Sequence, residues 1–273
     1  MATLQQKIGF LGSGRMATAL ARGCVRSGLV NSSQVLAADP HEAARQVFAE
    51  QVPGAQMIDD NRQVLAASDL VVLAVKPQVM PELLFQIAKD IATRHVLVSI
   101  AAGFTLEKMA ASLPAYARLV RVMPNTPCLV GLGASCYSLG PTATAEDGAM
   151  VQKILDSVGQ AFAVEEKMLD AVTGLSGSGP AFVYTLIEAL AGGGVAEGLP
   201  AKLAGQLAAQ TVRGAAEMVL ATSYSPAELR DQVTSPGGTT LAGLEALDQQ
   251  HGAAAFRAAV KAATRRSREL GQT

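Results

Sequence analysis

A glycine-rich segment near the N-terminus, GFLGSGRMATAL (9–20), has the residue types that bind phosphate. Gly12, Gly14 and Ala17 form the pattern G-x-G-x-x-A between an apolar run and a helical stretch. In such a pattern the first glycine permits a tight turn, the second lets the backbone approach a pyrophosphate, and the small third residue lets helix and strand pack closely. The free amides of the following helix complete the site. The segment therefore predicts binding of a dinucleotide.

Asp39 ends the next apolar run, where the adenosine ribose of a dinucleotide is expected. A carboxylate at this place accepts hydrogen bonds from the ribose hydroxyls and repels a 2′-phosphate, which favours NADH. Two features leave the preference open. Asp39-Pro40-His41-Glu42 also matches a capping box with Pro at the first helical position, and Arg45 lies close enough along the chain to reach a 2′-phosphate.

Three further loops follow apolar runs: Ala74-Val75-Lys76-Pro77, Ala101-Ala102-Gly103 and Met123-Pro124-Asn125-Thr126-Pro127. We expect them to face the same crevice, because the carboxyl ends of parallel strands meet at one edge of a sheet. The small residues of the second loop would let a nicotinamide ribose lie close to the backbone. Lys76 is either a cofactor contact or an ordinary exposed lysine.

A second segment with many donors and little bulk, SPGGTT (235–240), lies far from the glycine loop and precedes the helical stretch TLAGLEALDQQ (240–250). The amides of a turn that opens a helix attract anions. The same residues also suit an ordinary turn, with Ser as the cap, Pro restricting φ and Gly allowing a tight bend. Residue types leave both interpretations open, as they do for GSGP (177–180), which suits either a helix entry or an opening for substrate.

The helical half of the chain offers little acid–base chemistry. A nicotinamide enzyme that acts on a C–O bond needs a proton donor or acceptor at the reacting carbon, and β-hydroxyacid dehydrogenases carry a Lys and an Asn one helix turn apart there. No Lys occurs in GLSGSGPAFVYTLIEAL (174–190). A protonated imine is already electrophilic, so it fits a site of this composition.

Two kinds of pattern divide the chain at about residue 165. Strand-like apolar runs at 7–11, 34–38, 69–75, 95–100, 117–123, 133–139 and 160–164 alternate with helical stretches such as 16–28, 40–50 and 145–159. This alternation predicts a doubly wound, Rossmann-type α/β domain over residues 1–165. Residues 166–273 are rich in Ala, Leu and Gly and predict an all-α domain. Its helices are apolar on most faces, which indicates burial against a second subunit.

Composition narrows the classes further. The chain has 273 residues and a formal net charge of -1, so nothing suggests nucleic acid as a partner. Its 3 cysteines have no paired spacing and its 3 histidines have no ligand spacing, which argues against a disulfide framework and a metal site. No signal peptide and no apolar run long enough for a bilayer is present. We therefore expect a cytoplasmic protein that is not bound to a membrane.

The motifs together resemble the pyrroline-5-carboxylate reductase family over essentially the whole chain. The resemblance is carried by GFLGSGRMATAL, LAVKPQ, SIAAG, RVMPNTP, GLSGSGPAFVYTLIEAL, GGGVAEGLP and above all QVTSPGGTTLAGLEALD. It implies hydride transfer from C4 of NAD(P)H to C5 of Δ1-pyrroline-5-carboxylate, the last step of L-proline biosynthesis. It also implies a helical domain that interlocks with a partner subunit, as a dimer or a ring of dimers.

The resemblance also implies roles for particular residues. Around the Gly237 turn, Ser235 and the amides of Gly238 and Thr239 would hold the substrate carboxylate, and the Thr240 hydroxyl would act on the ring nitrogen. The implied cofactor contacts are Leu11, Gly12, Ser13, Gly14, Arg15, Met16, Asp39, Asn61, Ala74, Val75, Lys76, Pro77, Ile100, Ala101, Ala102 and Asn125. Asn125 would face the nicotinamide end.

One position departs from the family pattern, because the family often has Ser or Asn-Arg where Asp39 stands. Two other functions stay open at this point: a related two-domain imine or β-hydroxyacid reductase, and a non-catalytic dinucleotide-binding regulator.

Overall fold

The structure is a computed structural model that describes residues 3–272. Its strands are β1 (Ile8–Leu11), β2 (Val35–Ala38), β3 (Gln56–Met57), β4 (Leu70–Leu73), β5 (Val96–Ser99), β6 (Arg118–Met123), β7 (Gly133–Leu139) and β8 (Gly159–Ala163). They form one sheet in the order β3-β2-β1-β4-β5-β6-β7-β8. All neighbours are parallel except β6 and β7. The order reverses between β1 and β4, which is where doubly wound sheets bind dinucleotides.

Four inner strands, β1, β2, β4 and β5, consist of apolar residues and glycine except for Ser99, because helices cover both faces of the sheet. Every residue of β1, β2, β4 and β5 is buried. Successive residues enter two separate cores: Phe10 and Val72 lie in one, and Leu11 and Leu73 lie in the other. The predicted Rossmann-type fold is confirmed.

The helices of this part are α1 (Arg15–Arg26), α2 (Glu42–Gln51), α3 (Asn61–Ala67), α4 (Met80–Ile87), α5 (Leu106–Ala110) and α6 (Ala145–Asp156). All seven predicted strands and the three predicted helices are present. β7 has the predicted ends, and each of the others has one or both ends shifted by one to three residues. The sequence analysis missed α3, α4, α5 and the two-residue edge strand β3. These elements are short, and a strand of one exposed and one half-buried residue has no apolar run to mark it.

The remaining helices are α7 (Leu169–Val172), α8 (Gly179–Ala196), α9 (Ala201–Ala221), α10 (Pro226–Gln232), α11 (Thr239–Gln249) and α12 (Gly252–Gln272), with a π-helical turn over Thr173–Gly177. The chain forms two compact units. The second is Gly179–Ala262, and the first takes in everything up to Ser178 together with the C-terminal turns from Ala263.

The first compact unit extends past the predicted domain boundary at residue 165. Glu166 accepts hydrogen bonds from the buried Arg121 side chain at 3.0 Å and from the Leu106 amide at 2.7 Å. Ser267 of α12 donates a hydrogen bond to Asp170 at 2.7 Å. The start of the helical sequence and the end of the last helix are therefore fastened to the unit that contains the sheet, which periodicity along the chain does not reveal.

The second unit leaves much apolar surface uncovered. Of its described residues only Ala204 and Ala208 are buried, whereas Tyr184, Leu190, Leu207 and Leu220 are exposed. The helices α8 and α9 pack against each other. Many large apolar side chains exposed on one unit are typical of a surface that binds another protein or a membrane.

Candidate functional site

The glycine loop lies at the switch point of the sheet, where β1, β2 and β4 end. The Gly12 amide donates to the Ala38 carbonyl at 2.8 Å, and the Ala74 amide donates to the Leu11 carbonyl at 2.8 Å. Gly12 has φ +99°, and a Cβ on it would come within 2.7 Å of the Ala74 carbonyl oxygen. A glycine is therefore required here both for the backbone conformation and for the close approach of two strands.

The N-terminus of α1 is open toward this loop. Gly14 is its N-cap and provides no side-chain cap, so the first amides of the helix have no intrahelical acceptor. A Cβ on Gly14 would meet nothing within 4 Å. Ser13 is 2% exposed, and its Oγ has no partner among the described residues. Free amides, an orphaned hydroxyl and open space beside a glycine fit the pyrophosphate of a dinucleotide.

Asp39 is held against the glycine loop. Its carboxylate accepts hydrogen bonds from the Ser13 amide at 2.8 Å and from the His41 amide at 2.9 Å. The helix α2 begins only at Glu42, with His41 as its N-cap. The alternative that Asp39 forms the capping box of this helix is therefore wrong, because Pro40 and His41 extend the chain before the helix starts. The carboxylate is thus placed at the end of β2, as ribose recognition requires.

Arg45 is drawn toward the backbone beside Asp39. Its guanidinium donates to the Asp39 carbonyl at 2.8 Å and lies 3.7 Å from the Asp59 carboxylate. The Arg45 guanidinium, which the sequence suggested as a partner for a 2′-phosphate, therefore already has two acceptors within the protein.

A cavity of about 590 Å³ opens between α1 and α2 next to the loop. Its walls are Ser13, Gly14, Arg15, Thr18, Arg22, Ala43, Ala44, Val47, Gln51 and Leu129. Arg22 is occupied, because it donates to the Leu129 carbonyl at 2.6 Å and to the Gln51 side chain at 2.7 Å. Arg15 is exposed at the rim. Ser13, Gly14 and Arg15 were predicted from the sequence as cofactor contacts. The other wall residues meet only because α1, α2 and the loop that contains Leu129 converge.

The other predicted cofactor loops follow β4 and β5 at the same edge of the sheet. Lys76 is exposed, and Pro77 begins a 3₁₀ turn directly after it. Ile100, Ala101 and Ala102 follow β5. Asn61 is the first residue of α3 and donates to the Gln86 side chain at 3.0 Å. The parallel topology thus brings these loops to the carboxyl edge, while their contacts with a cofactor stay predictions.

Asn125 is 8% exposed, and both halves of its amide are engaged. Its Nδ2 donates to the Ser176 carbonyl at 3.0 Å, and its Oδ1 accepts from the Ala134 amide at 2.9 Å. The side chain therefore joins the loop after β6 to the π-helical turn. Its predicted place at the nicotinamide end stays a prediction.

The SPGGTT segment forms a tight turn at the start of α11 in the second unit. Gly237 has φ +68°, and Gly238 is the N-cap, without a side-chain cap. The Gly238 amide donates to the Ser235 carbonyl at 3.0 Å. This contact occupies one of the two amides assigned to the carboxylate. The amides of the first helical turn, which begins with Thr239 and Thr240, have no intrahelical acceptor.

The titratable groups with the clearest pKa shifts belong to the core and to the opposite edge of the sheet. Burial raises the pKa of the Cys24 thiol to about 12, so this cysteine is inert. Burial also lowers the pKa of His95, which precedes β5 and so lies at the amino edge. Residues 3–272 contain no group of three or more His, Cys, Asp or Glu side chains arranged for a metal.

Two family models match separate parts of the chain. The family described as pyrroline-5-carboxylate reductase dimerisation matches residues 166–270. The family described as NADP oxidoreductase, coenzyme F420-dependent, matches residues 7–103. Pyrroline-5-carboxylate reductase of Arabidopsis thaliana is 46% identical over 267 residues, which cover 98% of this chain and 96% of that protein.

Solved structures agree with these matches. Pyrroline carboxylate reductase of Plasmodium falciparum, crystallised with NADP bound, has a TM-score of 0.89 and 31% identity over 99% of this chain and 100% of that one. Pyrroline-5-carboxylate reductase of Coxiella burnetii has a TM-score of 0.92 and 32% identity with the same coverage.

Proposed function

Because the chain belongs to the pyrroline-5-carboxylate reductase family, we propose that it reduces L-Δ1-pyrroline-5-carboxylate to L-proline with NAD(P)H, the final step of proline biosynthesis. The observation that carries the proposal is the open N-terminus of α1 beside Gly14, at the switch point of the sheet. This open helix end supports a dinucleotide site in the first unit. The dimerisation model of the pyrroline-5-carboxylate reductase family matches residues 166–270, which include the second unit. No observation favours a different reductase or a regulator without turnover.

The bound cofactor supplies a hydride at C4 of its nicotinamide. The chain holds and orients the reactants. The amides that follow Gly14 would bind the pyrophosphate, Asp39 the ribose, and the loops after β4 and β5 the remainder of the cofactor. This hydride, with its electron pair, would form the C–H bond at C5 of the protonated imine, and the C=N π pair would become the nitrogen lone pair of proline.

The SPGGTT segment would bind the substrate. Ser235 and the amides of the first α11 residues, beginning with Thr239, would hold the carboxylate, with the helix dipole adding to the attraction. The Gly238 amide is not available for this, because it donates to the Ser235 carbonyl. The Thr240 hydroxyl would accept a hydrogen bond from the protonated ring nitrogen and orient the C=N bond. A protonated imine needs no strong general acid, which agrees with the lack of a Lys/Asn pair after the GSGP segment.

We further propose a cytoplasmic homo-oligomer, either a dimer or a ring of dimers. The expectation that no apolar stretch is long enough for a bilayer needs one correction, because the helical stretch Glu166–Ala196 is long and apolar enough to cross a membrane by length and composition alone. The dimerisation family matches 166–270, so a second copy accounts for this apolar surface without a membrane. The near-zero net charge supports the absence of nucleic acid.

The direct test is an assay with Δ1-pyrroline-5-carboxylate. Purified protein is mixed with this substrate and either NADH or NADPH, the loss of nicotinamide absorbance is followed, and proline is measured. We expect cofactor oxidation and proline formation in equal amounts. Binding of the cofactor without turnover would favour the regulator, and turnover only with a β-hydroxyacid would favour that dehydrogenase class.

A further inference from the structure

The carbonyl of Ser176 lacks its ordinary helical partner. An α-helix would pair it with the amide of residue 180, but that residue is Pro180, which has no N–H and whose ring crowds the carbonyl four residues earlier. The chain avoids this conflict by forming a π-helical turn over Thr173–Gly177, closed by the Ser178 amide donating to the Thr173 carbonyl at 2.8 Å. A proline in GSGP thus leaves a backbone acceptor that another part of the protein must satisfy.

Asn125 provides that donor. Its Nδ2 donates to the Ser176 carbonyl at 3.0 Å, while the Ala134 amide of β7 holds its Oδ1 at 2.9 Å. The side chain is 8% exposed, so water competes little with either bond. The hydrogen bond from β7 to Oδ1 therefore fixes the direction in which the Nδ2 donor of Asn125 points.

A second residue of the same loop packs against the turn. A Cβ on Gly177 would come within 2.5 Å of Met123 Cε. The glycine lets the Met123 side chain lie directly on the turn, at the end of β6. Two residues of the MPNTP segment thus contact the segment that precedes α8, and all of these residues lie in the first compact unit.

We propose that Asn125 is a positioning residue for hydride transfer, which acts by holding the π-helical turn Thr173–Gly177 in the shape that the reaction requires. This proposal rests on the proposed function. π-Helical turns cost energy and occur often at functional sites. The turn is attached to the loop after β6, at the same edge of the sheet as the cofactor loops. Because hydride transfer tolerates little misplacement of the reactants, loosening this turn would lower kcat more than it weakens binding of the cofactor.

The test compares Asn125→Ala with Asn125→Asp and with the control Gln160→Ala, which removes an exposed amide side chain on the edge strand β8 of the same sheet. Asn125→Asp keeps an acceptor for the Ala134 amide but removes the donor to Ser176. For each variant we measure kcat and KM, the Kd of NADH and NADPH by fluorescence titration, and hydrogen exchange of peptides that contain residues 173–178.

Both Asn125 variants should lower kcat by about tenfold or more, as expected for an unsatisfied buried carbonyl and a displaced turn. They should speed exchange within 173–178 and leave both Kd values within about twofold, whereas Gln160→Ala should match the wild type. Wild-type kcat in an Asn125 variant, or loss of cofactor affinity equal to the loss of kcat, would overturn the proposal. Wild-type turnover in the same assay tests the proposed function separately.

A second-site variant separates positioning from stability. Pro180→Ala restores an N–H at position 180, which can donate to the Ser176 carbonyl in an ordinary α-helical turn. In the Asn125→Ala background it should restore slow exchange and the Tm but not kcat, because the π-helical shape is lost. Full recovery of kcat would show that any donor suffices and would overturn the proposal.

Discussion

Asp39 is the residue that we expect to have the largest effect on the preference between NADH and NADPH. Its carboxylate is fixed by the amides of Ser13 and His41, and Arg45 is occupied by the carbonyl of Asp39 and by Asp59. A fixed negative charge therefore stands at the end of β2, where it would repel a 2′-phosphate, and the guanidinium of Arg45 beside it is turned to the Asp39 carbonyl. This geometry strengthens the preference for NADH that the residue type suggested, even though the matched family includes a protein crystallised with NADP.

Asp39→Ser should lower the ratio of the Kd of NADPH to the Kd of NADH by about tenfold. Removing one like charge beside the 2′-phosphate is worth about 1 kcal/mol or slightly more. Fluorescence titration with both cofactors measures the ratio. The control is Glu50→Gln, which removes an exposed acidic side chain near the end of α2 and should leave the ratio unchanged. An unchanged ratio in Asp39→Ser would mean that this carboxylate serves only the loop and not the cofactor.

Thr240 is the residue assigned to the imine nitrogen. Thr240→Ala should lower kcat by about tenfold to a hundredfold, since one oriented hydrogen bond at the reacting group is lost. The Kd of NADH should stay unchanged, because the hydroxyl acts on the substrate alone. Thr240→Ser should recover most of the activity. Weakened cofactor binding in the alanine variant would contradict this placement.

At the scale of elements, the β1–α1 turn uses its two glycines for different purposes. Gly12 needs its positive φ and sits against Ala74, so its role is in the folded chain itself. Gly14 has an ordinary extended conformation and open space around it, so its role concerns what binds there. One motif therefore combines a folding requirement with a binding requirement.

A pair of alanine variants separates these two requirements. Gly12→Ala should lower the free energy of unfolding by about 2 kcal/mol or more, from backbone strain and the contact with Ala74. Gly14→Ala should leave the Tm nearly unchanged but weaken cofactor binding by about tenfold or more, because its Cβ takes the space of the pyrophosphate. Calorimetry and fluorescence titration measure the two effects. Normal cofactor affinity in Gly14→Ala would place the pyrophosphate elsewhere.

At the scale of the whole molecule, the second unit cannot bury its own side chains. Tyr184, Leu207 and Leu220 are exposed on α8 and α9, and only two described alanines of this unit are buried. A helical unit of this composition gains its stability from association, as obligate dimers do.

Leu220→Glu tests this dependence, because a carboxylate in an apolar interface loses its hydration without gaining a partner. We expect the subunit dissociation constant to rise by about tenfold or more, measured by light scattering across a dilution series. Phe85→Glu is the matched control, since Phe85 is 84% exposed on α4 of the first unit. If both variants weakened subunit association equally, α9 would not form part of the interface.

The sequence by itself determined the parts of this protein that depend on local pattern. The run LVVLAV (70–75) is apolar throughout because a covered parallel strand is buried on both faces. The pattern G-x-G-x-x-A at 12–17 follows from the backbone geometry of a phosphate-binding turn. The same pattern could not reveal β3 or α5, which are too short to show a period.

Only the tertiary structure decided which distant groups meet. It placed Asp39 on the Ser13 amide instead of on α2, directed Asn125 to the carbonyl that Pro180 leaves free, and fastened Glu166 and Asp170 to the unit that contains the sheet. These contacts join residues far apart in the chain, and each forms because a buried polar group must find a partner wherever the fold provides one. Local periodicity carries no information about that choice.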